Sequence, residues 1–311
     1  MTAADGSVET DTEAGTGAAG SARRTTHSNG FLTDVWINLK RWIVKTTRNP
    51  FVIFGSLVQP ILFLVLFTAV FGQVTGGALT QALGEDVSYV TYLVPAIVIQ
   101  SALVAAAGSG IGLVDDMENG MFEKVLVSPI NRGAMFLGKA LSEVVRIVIQ
   151  TVIILGLGYL LVWLDTGGSL GSYIRTGFLG AVGVVVVAVV FAIWFTAFSN
   201  IVALVTRDQE STIIGANLLQ FPLLFVSSAF LPVSVLPGWV RTLATVNPIT
   251  YGVDAARVLM LGENVPSVLD ITAFGGVWNV LLPSLAILLA LDLVLGAIAV
   301  RSLNRASSSA T

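Results

Sequence analysis

The sequence predicts an all-α integral membrane fold, and three observations carry that prediction. Only 11% of its 311 residues are charged while 55% are hydrophobic; soluble domains carry about 25% charged residues, so this chain has too little polar surface to face water on every side. Six segments stay apolar for the roughly 20 residues that a helix needs to cross a hydrocarbon core about 30 Å thick. The basic residues collect on one side of those six segments, the pattern of a cytoplasmic face.

The elements follow in order. Residues 1–30 are rich in Ala, Gly, Ser and Thr and carry Asp5, Glu9, Asp11 and Glu13. With no apolar run and no basic start they read as a disordered cytoplasmic tail, not as a secretory signal. Residues 31–48 have helical period: Leu32, Val35, Trp36, Leu39 and Ile43 recur at three- and four-residue steps, with Asp34, Asn38, Lys40, Arg41 and Lys45 on the other faces. That is an amphipathic helix lying in the membrane interface, its basic face drawn to anionic headgroups, or else a positive-inside anchor with no further role. Asn49-Pro50 turns the chain into the first span, because proline sets φ at a helix start. The spans are expected at about Phe51–Phe71, Tyr89–Val114, Leu141–Leu164, Gly177–Val205, Thr212–Phe230 and Val277–Val300. Together residues 49–305 form one six-span domain, and 306–311 a cytoplasmic tail. Strands fit poorly: Phe63-Leu64-Val65-Leu66-Phe67 is apolar on every face, whereas a membrane strand alternates.

Of the 16 basic residues, 13 fall on one side: Arg23, Arg24, Lys40, Arg41, Lys45, Arg48, Lys124, Arg132, Lys139, Arg146, Arg207, Arg301 and Arg305. Arg175, Arg241 and Arg257 fall on the other. This puts both termini in the cytoplasm, which needs an even number of spans, in a multi-pass protein of the cell membrane. There is no cysteine and one histidine, His27, in the polar tail. That excludes disulfides, thiolate metal sites and a catalytic triad. No basic cluster with interleaved aromatics appears outside the segment at 40–48, which argues against nucleic acid.

Gly133-Ala134-Met135-Phe136-Leu137-Gly138-Lys139-Ala140 imitates a phosphate-binding loop. Ala140 stands where a Ser or Thr must hold Mg²⁺, and no strand precedes. The chain is therefore expected to bind no nucleotide and to be no enzyme. From Asp115 to Lys139 the same region is a cytoplasmic loop in which Met117, Met121, Phe122, Val125 and Leu126 share one helical stripe. Such a helix lies on the membrane or inserts in a partner's groove; the acids at its front favour a protein partner. Between the fifth and sixth spans, prolines interrupt an apolar stretch. Irregular backbone at membrane depth survives only inside protein or beside a water-filled cavity. Trp239 and Tyr251 there suit the interfacial belt.

Polar groups within the spans are few. Glu143 and Arg146, three apart, can pair on one helix face. Asp292 in the last span is expensive unless it faces the bundle or snorkels to the headgroups. Gln100, Asn217 and Gln220, with Gln150, Asn200 and Asn279, serve as interhelical glue or as substrate contacts. Gly108–Gly112 and Gly177–Gly180 permit close helix packing.

Glu118, Gly120, Glu123, Leu126, Ser128, Pro129, Arg132, Gly138 and Lys139 stand in the register Glu-x-Gly-x-x-Glu-x-x-Leu-x-Ser-Pro-x-x-Arg followed by Gly-Lys. This loop resembles the one between the second and third spans of ABC type-2 exporter permeases, in particular the daunorubicin-resistance-like branch. Leu231-Pro232, Leu236-Pro237-Gly238-Trp239 and Asn247-Pro248-Ile249-Thr250-Tyr251, followed by Asp254 and Arg257, resemble the extracellular segment of the same family. The resemblance covers about residues 31–305. It implies a permease dimer, from two copies or a close heterodimer, above two cytosolic ATP-binding subunits. ATP and Mg²⁺ would sit on those partner subunits and no cofactor on this chain. It implies a coupling helix around Gly120–Leu126 docked on an ATPase, with Glu118 and Glu123 as polar contacts and Phe122 and Leu126 as apolar anchors. It implies short re-entrant outer-leaflet helices around Pro237, Trp239, Asn247, Pro248 and Tyr251. The function it implies is export of a hydrophobic or amphipathic substrate: a drug, a lipid or a lipid-linked glycan. An ion-coupled secondary transporter is the alternative, and it would need several midplane ligands where only Asp292 offers itself. A lipid-modifying membrane enzyme would need a His, Cys or carboxylate cluster that the chain lacks.

Overall fold

The computed structural model describes residues 30–48, 50–72, 87–120, 132–262, 268 and 273–308. Among them every regular element is helical: α1 Phe31–Arg48, α2 Pro50–Phe71, α3 Tyr89–Glu118, α4 Arg132–Thr166, α5 Leu170–Tyr173, α6 Gly177–Thr206, α7 Gln209–Phe225, α8 Gly238–Ala244, α9 Pro248–Leu261 and α10 Trp278–Ser308. Five of them, α2, α3, α4, α6 and α10, are long and apolar enough to cross a membrane. The fifth predicted span is α7, with 17 residues. At 1.5 Å per residue it reaches about 25 Å, near the short limit for a crossing.

Local chemistry sets the boundaries. The Ser88 hydroxyl accepts the Thr91 N–H and opens α3. Asp208 does the same for α7 through the Ser211 N–H at 2.7 Å, which holds its carboxyl below the usual carboxylate range. The helix α3 runs on to Glu118, past the expected end at Val114. Asp115, Asp116 and Met117 are thus its last turn, not part of a separate loop helix, and Met117 packs beside Leu113, Val114, Ala203 and Leu204. Gly120 follows at φ 63, a left-handed residue of the kind that ends helices. Likewise α4 starts at Arg132, well before Leu141.

The core is built around α3. From Tyr89 to Leu103 all its residues are buried, because α2, α4, α6, α7 and α9 all pack on it. In its second half Gly110 meets α6: a Cβ there would lie 2.4 Å from the Ser199 carbonyl oxygen. Gly110, lying between the expected pair Gly108 and Gly112, is the tightest contact of the three. Helix α9 is buried from Ile249 to Leu261. By contrast α2 and α10 show their apolar side chains outward, with Phe51 at 86% and Leu293 at 76% exposure, as lipid-facing helices do.

The expected fifth span does not continue to Phe230. It stops at Phe225, and residues 226–230 form a buried bend. Carbonyls of the bend and of the last turn of α7 before it are met by side chains. Asn247 Nδ2 donates to Leu223 O at 2.6 Å and to Val226 O at 3.0 Å. Ser227 Oγ donates to Leu224 O, Arg257 to Ser228 O and Ala229 O, and the Tyr89 hydroxyl to Phe230 O. Those donors replace the missing helical N–H groups, which is the condition for broken backbone in an apolar setting.

Candidate functional site

At the end of the molecule where basic residues gather, α1 presents Arg41, Trp42 and Lys45 on adjacent turns. Lys45 Nζ reaches Asp115 Oδ2 at 2.7 Å and Asp116 Oδ1 at 2.9 Å, and Arg41 Nη2 reaches Asp116 Oδ2 at 3.3 Å. Partial burial pulls the Lys45 ammonium down, but the hydrogen bonds and charges of the two aspartates outweigh it and hold the pKa above the usual lysine value. Under this clasp the buried Trp42 ring lies within cation–π range of three cations: Arg41 at 5.4 Å, Lys45 at 4.7 Å and Lys139 at 5.2 Å.

The Gly138-Lys139 pair has its own use here. A Cβ on Gly138 would stand 2.6 Å from Asn38 Cβ and 2.8 Å from the Val35 carbonyl oxygen, so only glycine lets α4 approach α1 this closely. Lys139 points inward, donating to Ser109 O at 2.8 Å and to Asn200 Oδ1 at 3.4 Å. One lysine thereby joins α4 to α3, α6 and the α1 tryptophan. At the tip of α3, Glu118 Oε2 accepts from Gln209 Nε2 of α7 at 2.6 Å. The last turn of α3 is thus tied to α1 on one side and α7 on the other.

Of the predicted coupling residues, Glu118 joins this cluster through Gln209. Glu118 and Gly120 close α3, and Arg132 opens α4. Phe122, Glu123, Leu126, Ser128 and Pro129 lie outside the described residues. The stripe expected on α1 splits. Its buried residues are Asp34, Val35, Asn38 and Trp42, while Leu32 is 79% and Trp36 64% exposed. The close approach at Gly138 selects small Asn38 for the protein side, where Trp42 is also buried, and leaves Leu32 and Trp36 outside. The partners Asp115, Asp116 and Trp42 were not legible as a site. Their signals were consecutive aspartates at one helix end and Arg41 and Lys45 four apart on another.

Among the intramembrane polar residues, Glu143 and Arg146 pair at 2.5 Å, and Arg146 also donates to the Ala105 carbonyl. Gln100 is fully buried, with neither end of its amide hydrogen-bonded among the described residues. Gln220 is buried and Asn217 exposed on α7. Asp292 is buried on α10, near the backbone of Trp194 in α6. At the other end Pro237 precedes α8, Trp239 is 67% exposed on it, and Asn247 caps α9 through the Ile249 N–H, with Pro248 as its first residue. Tyr251 is buried and donates to the Thr245 carbonyl.

The sequence profile of the ABC-2 type transporter family matches residues 33–261. A daunorubicin resistance ABC transporter permease protein of Streptomyces coeruleorubidus is 27% identical over 239 residues, 77% of each chain. A probable doxorubicin resistance ABC transporter permease protein of Mycobacterium tuberculosis is 26% identical over 237 residues, covering 76% of this chain and 80% of that one. A putative transport permease of Cyanophora paradoxa is 27% identical over 231 residues, 74% of each.

Proposed function

The chain belongs to the ABC-2 type transporter family, and on that premise we propose that it is the permease subunit of an ATP-driven exporter. It works in a cell membrane with both termini in the cytoplasm, beside a separate ATP-binding subunit and a second permease copy. ATP and Mg²⁺ belong to the partner; this chain supplies the pathway and the lever. The observation that carries the reading is the double tie on the last turn of α3, Lys45 and Arg41 to Asp115 and Asp116 and Gln209 to Glu118. Residues 118–132 continue from that turn. A partner that moves this segment moves α3 together with α1 and α7, and so biases a two-state arrangement of the spans. Glu123 with Phe122 and Leu126 are the proposed contacts on the ATP-binding subunit.

Two further observations support the assembly and the substrate class. The helix α7 exposes the Asn217 side chain beside Leu218 at 73% and Ile214 at 58% exposure. A carboxamide facing hydrocarbon is unfavourable, and a second copy covering that face would remove the cost. Six crossings, with α7 as the short fifth, and re-entrant helices α8 and α9 complete the arrangement. The spans carry few charges, and relatives are named for daunorubicin and doxorubicin resistance; both favour a hydrophobic or amphipathic cargo. Co-expression with an ATP-binding subunit tests the reading. Glu123→Arg, or Phe122→Ala with Leu126→Ala, should cut co-purification of that subunit at least tenfold, about 1.4 kcal/mol, while the permease keeps its dimer peak. Full retention of the subunit with normal substrate-stimulated ATP hydrolysis overturns the coupling assignment.

A further inference from the structure

At the opposite end from the Lys45 clasp a second charge pair is sealed inside the protein. Asp254 and Arg257, one turn apart on α9, are each 1% exposed, with 3.6 Å between Arg257 Nη1 and Asp254 Oδ1. The guanidinium lies 3.8 Å from the centroid of the Tyr92 ring and donates through Nε to Tyr92 O at 3.3 Å. Its Nη2 donates to Ser228 O and Ala229 O, both at 3.1 Å. The carboxylate accepts from Ser228 Oγ at 2.8 Å and from the Val268 N–H at 3.2 Å. One ion pair therefore gathers the start of α3, the bend at 226–230, α9 and Val268.

Such burial is costly, and it persists only where every donor and acceptor is met. Two of the three carbonyls the guanidinium meets, Ser228 O and Ala229 O, belong to non-helical chain, so the geometry of the bend depends on the fork of the guanidinium. A lysine offers no planar fork and cannot span the same carbonyls. We propose that Arg257, held by Asp254, is the positioning residue that keeps the outer end of the pathway shut between transport events. Opening consists of withdrawing Ser228 and Ala229 from the guanidinium. The inference rests on the permease reading for what passes through the opening, but not for the closure itself.

The chain has no cysteine, so a single reporter can be read cleanly. Ser227→Cys sits in the bend, 3% exposed, and the hydroxyl it replaces bonds to Leu224 O and to the Ala229 N–H. In lipid nanodiscs, where both faces are accessible, a hydrophilic maleimide should label this reporter slowly. Adding Arg257→Met or Asp254→Asn should speed labelling at least tenfold, and Arg257→Lys should not restore the slow rate. A Ser109→Cys reporter at the other end, 1% exposed, should keep its rate in both variants. Unchanged labelling of the bend in whichever variants fold, or equal acceleration at Ser109→Cys, overturns the clasp. With the ATP-binding subunit present, ATP should raise labelling of the Ser227→Cys reporter in the otherwise unaltered chain. No rise while ATP-driven transport proceeds also overturns the proposal. Absence of any such subunit or transport, with the partner-free rates as expected, overturns the permease reading and leaves the closure standing.

Discussion

The two ends of the molecule hold the same chemistry at different depths. Near the gathered basic residues, Lys45 and Arg41 pair with Asp115 and Asp116 over the Trp42 ring, and the Lys45 side chain remains 44% exposed. At the far end Arg257 pairs with Asp254 over the Tyr92 ring with about 1% exposure. Half-exposed pairs contribute about 0–1 kcal/mol and break readily. A sealed pair contributes little net against a well-packed apolar replacement, yet breaking it by removing one partner costs several kcal/mol. The difference teaches that one clasp can reform many times at small cost, while the other resists until something compels it. A lever and a stop need those two characters.

The largest expected effect tests the sealed end. Arg257→Ala should lower unfolding stability by about 3–5 kcal/mol, read as a large drop in thermal midpoint in detergent. It strands the Asp254 carboxylate and leaves the Tyr92, Ser228 and Ala229 carbonyls without their donor. Adding Asp254→Asn should recover part of that loss, since no lone buried charge then remains. A simple sum of the two single losses would contradict the pairing.

Next comes Gly138→Leu. Its side chain would collide with Asn38 and the Val35 carbonyl, and overpacking of this kind costs about 1–3 kcal/mol. Because the clash separates α1 from α4, protease cleavage within α1 should speed up while the outer reporter stays silent. A smaller effect is expected for Lys45→Ala: less than about 1 kcal/mol, shrinking further at high salt. A salt-independent loss of several kcal/mol would show that this clasp is as sealed as its counterpart.

The smallest effect is on pH. The folded pKa of Lys45 is raised, so its contribution is fully present below the ordinary lysine value of about 10.4. It is lost only as pH rises through the higher folded value. Stability should therefore show no Lys45-dependent change from pH 6 to about pH 9, and a Lys45-dependent fall should appear only above about pH 10. A fall near neutrality that vanishes in Lys45→Ala would contradict the assigned partners.

The crossing helices were legible because length and apolar content suffice to specify them, as for α2, α6 and α10. What periodicity hides is partnership between distant segments. Lys45 and Asp115 lie 70 residues apart, and neither residue's neighbourhood announces the other. The bend at 226–230 was read as span because Val226, Ala229 and Phe230 are as apolar as the helix before them; Ser227 and Ser228 were the only local hint. The capping of α9 was better marked, since Asn247-Pro248 is a local signal. In α1 the helical period was legible, but which side packs on protein was not. Leu32 and Trp36 turn outward because the protein side of that helix is set by the close approach at Gly138, which cannot be seen from the helix alone.

The burial of Lys139 also bears on how the protein is made. Its ammonium sits among Ser109 of α3 and Asn200 of α6, and α3 precedes α4 in synthesis whereas α6 follows it. Asn200 emerges 61 residues after Lys139, which at about 5–20 residues per second is a delay of about 3–12 s. During that interval the charge has to stay at the aqueous edge of the bilayer. The helix α4 is therefore expected to be seated only when α6 arrives, so the two should mature as one unit.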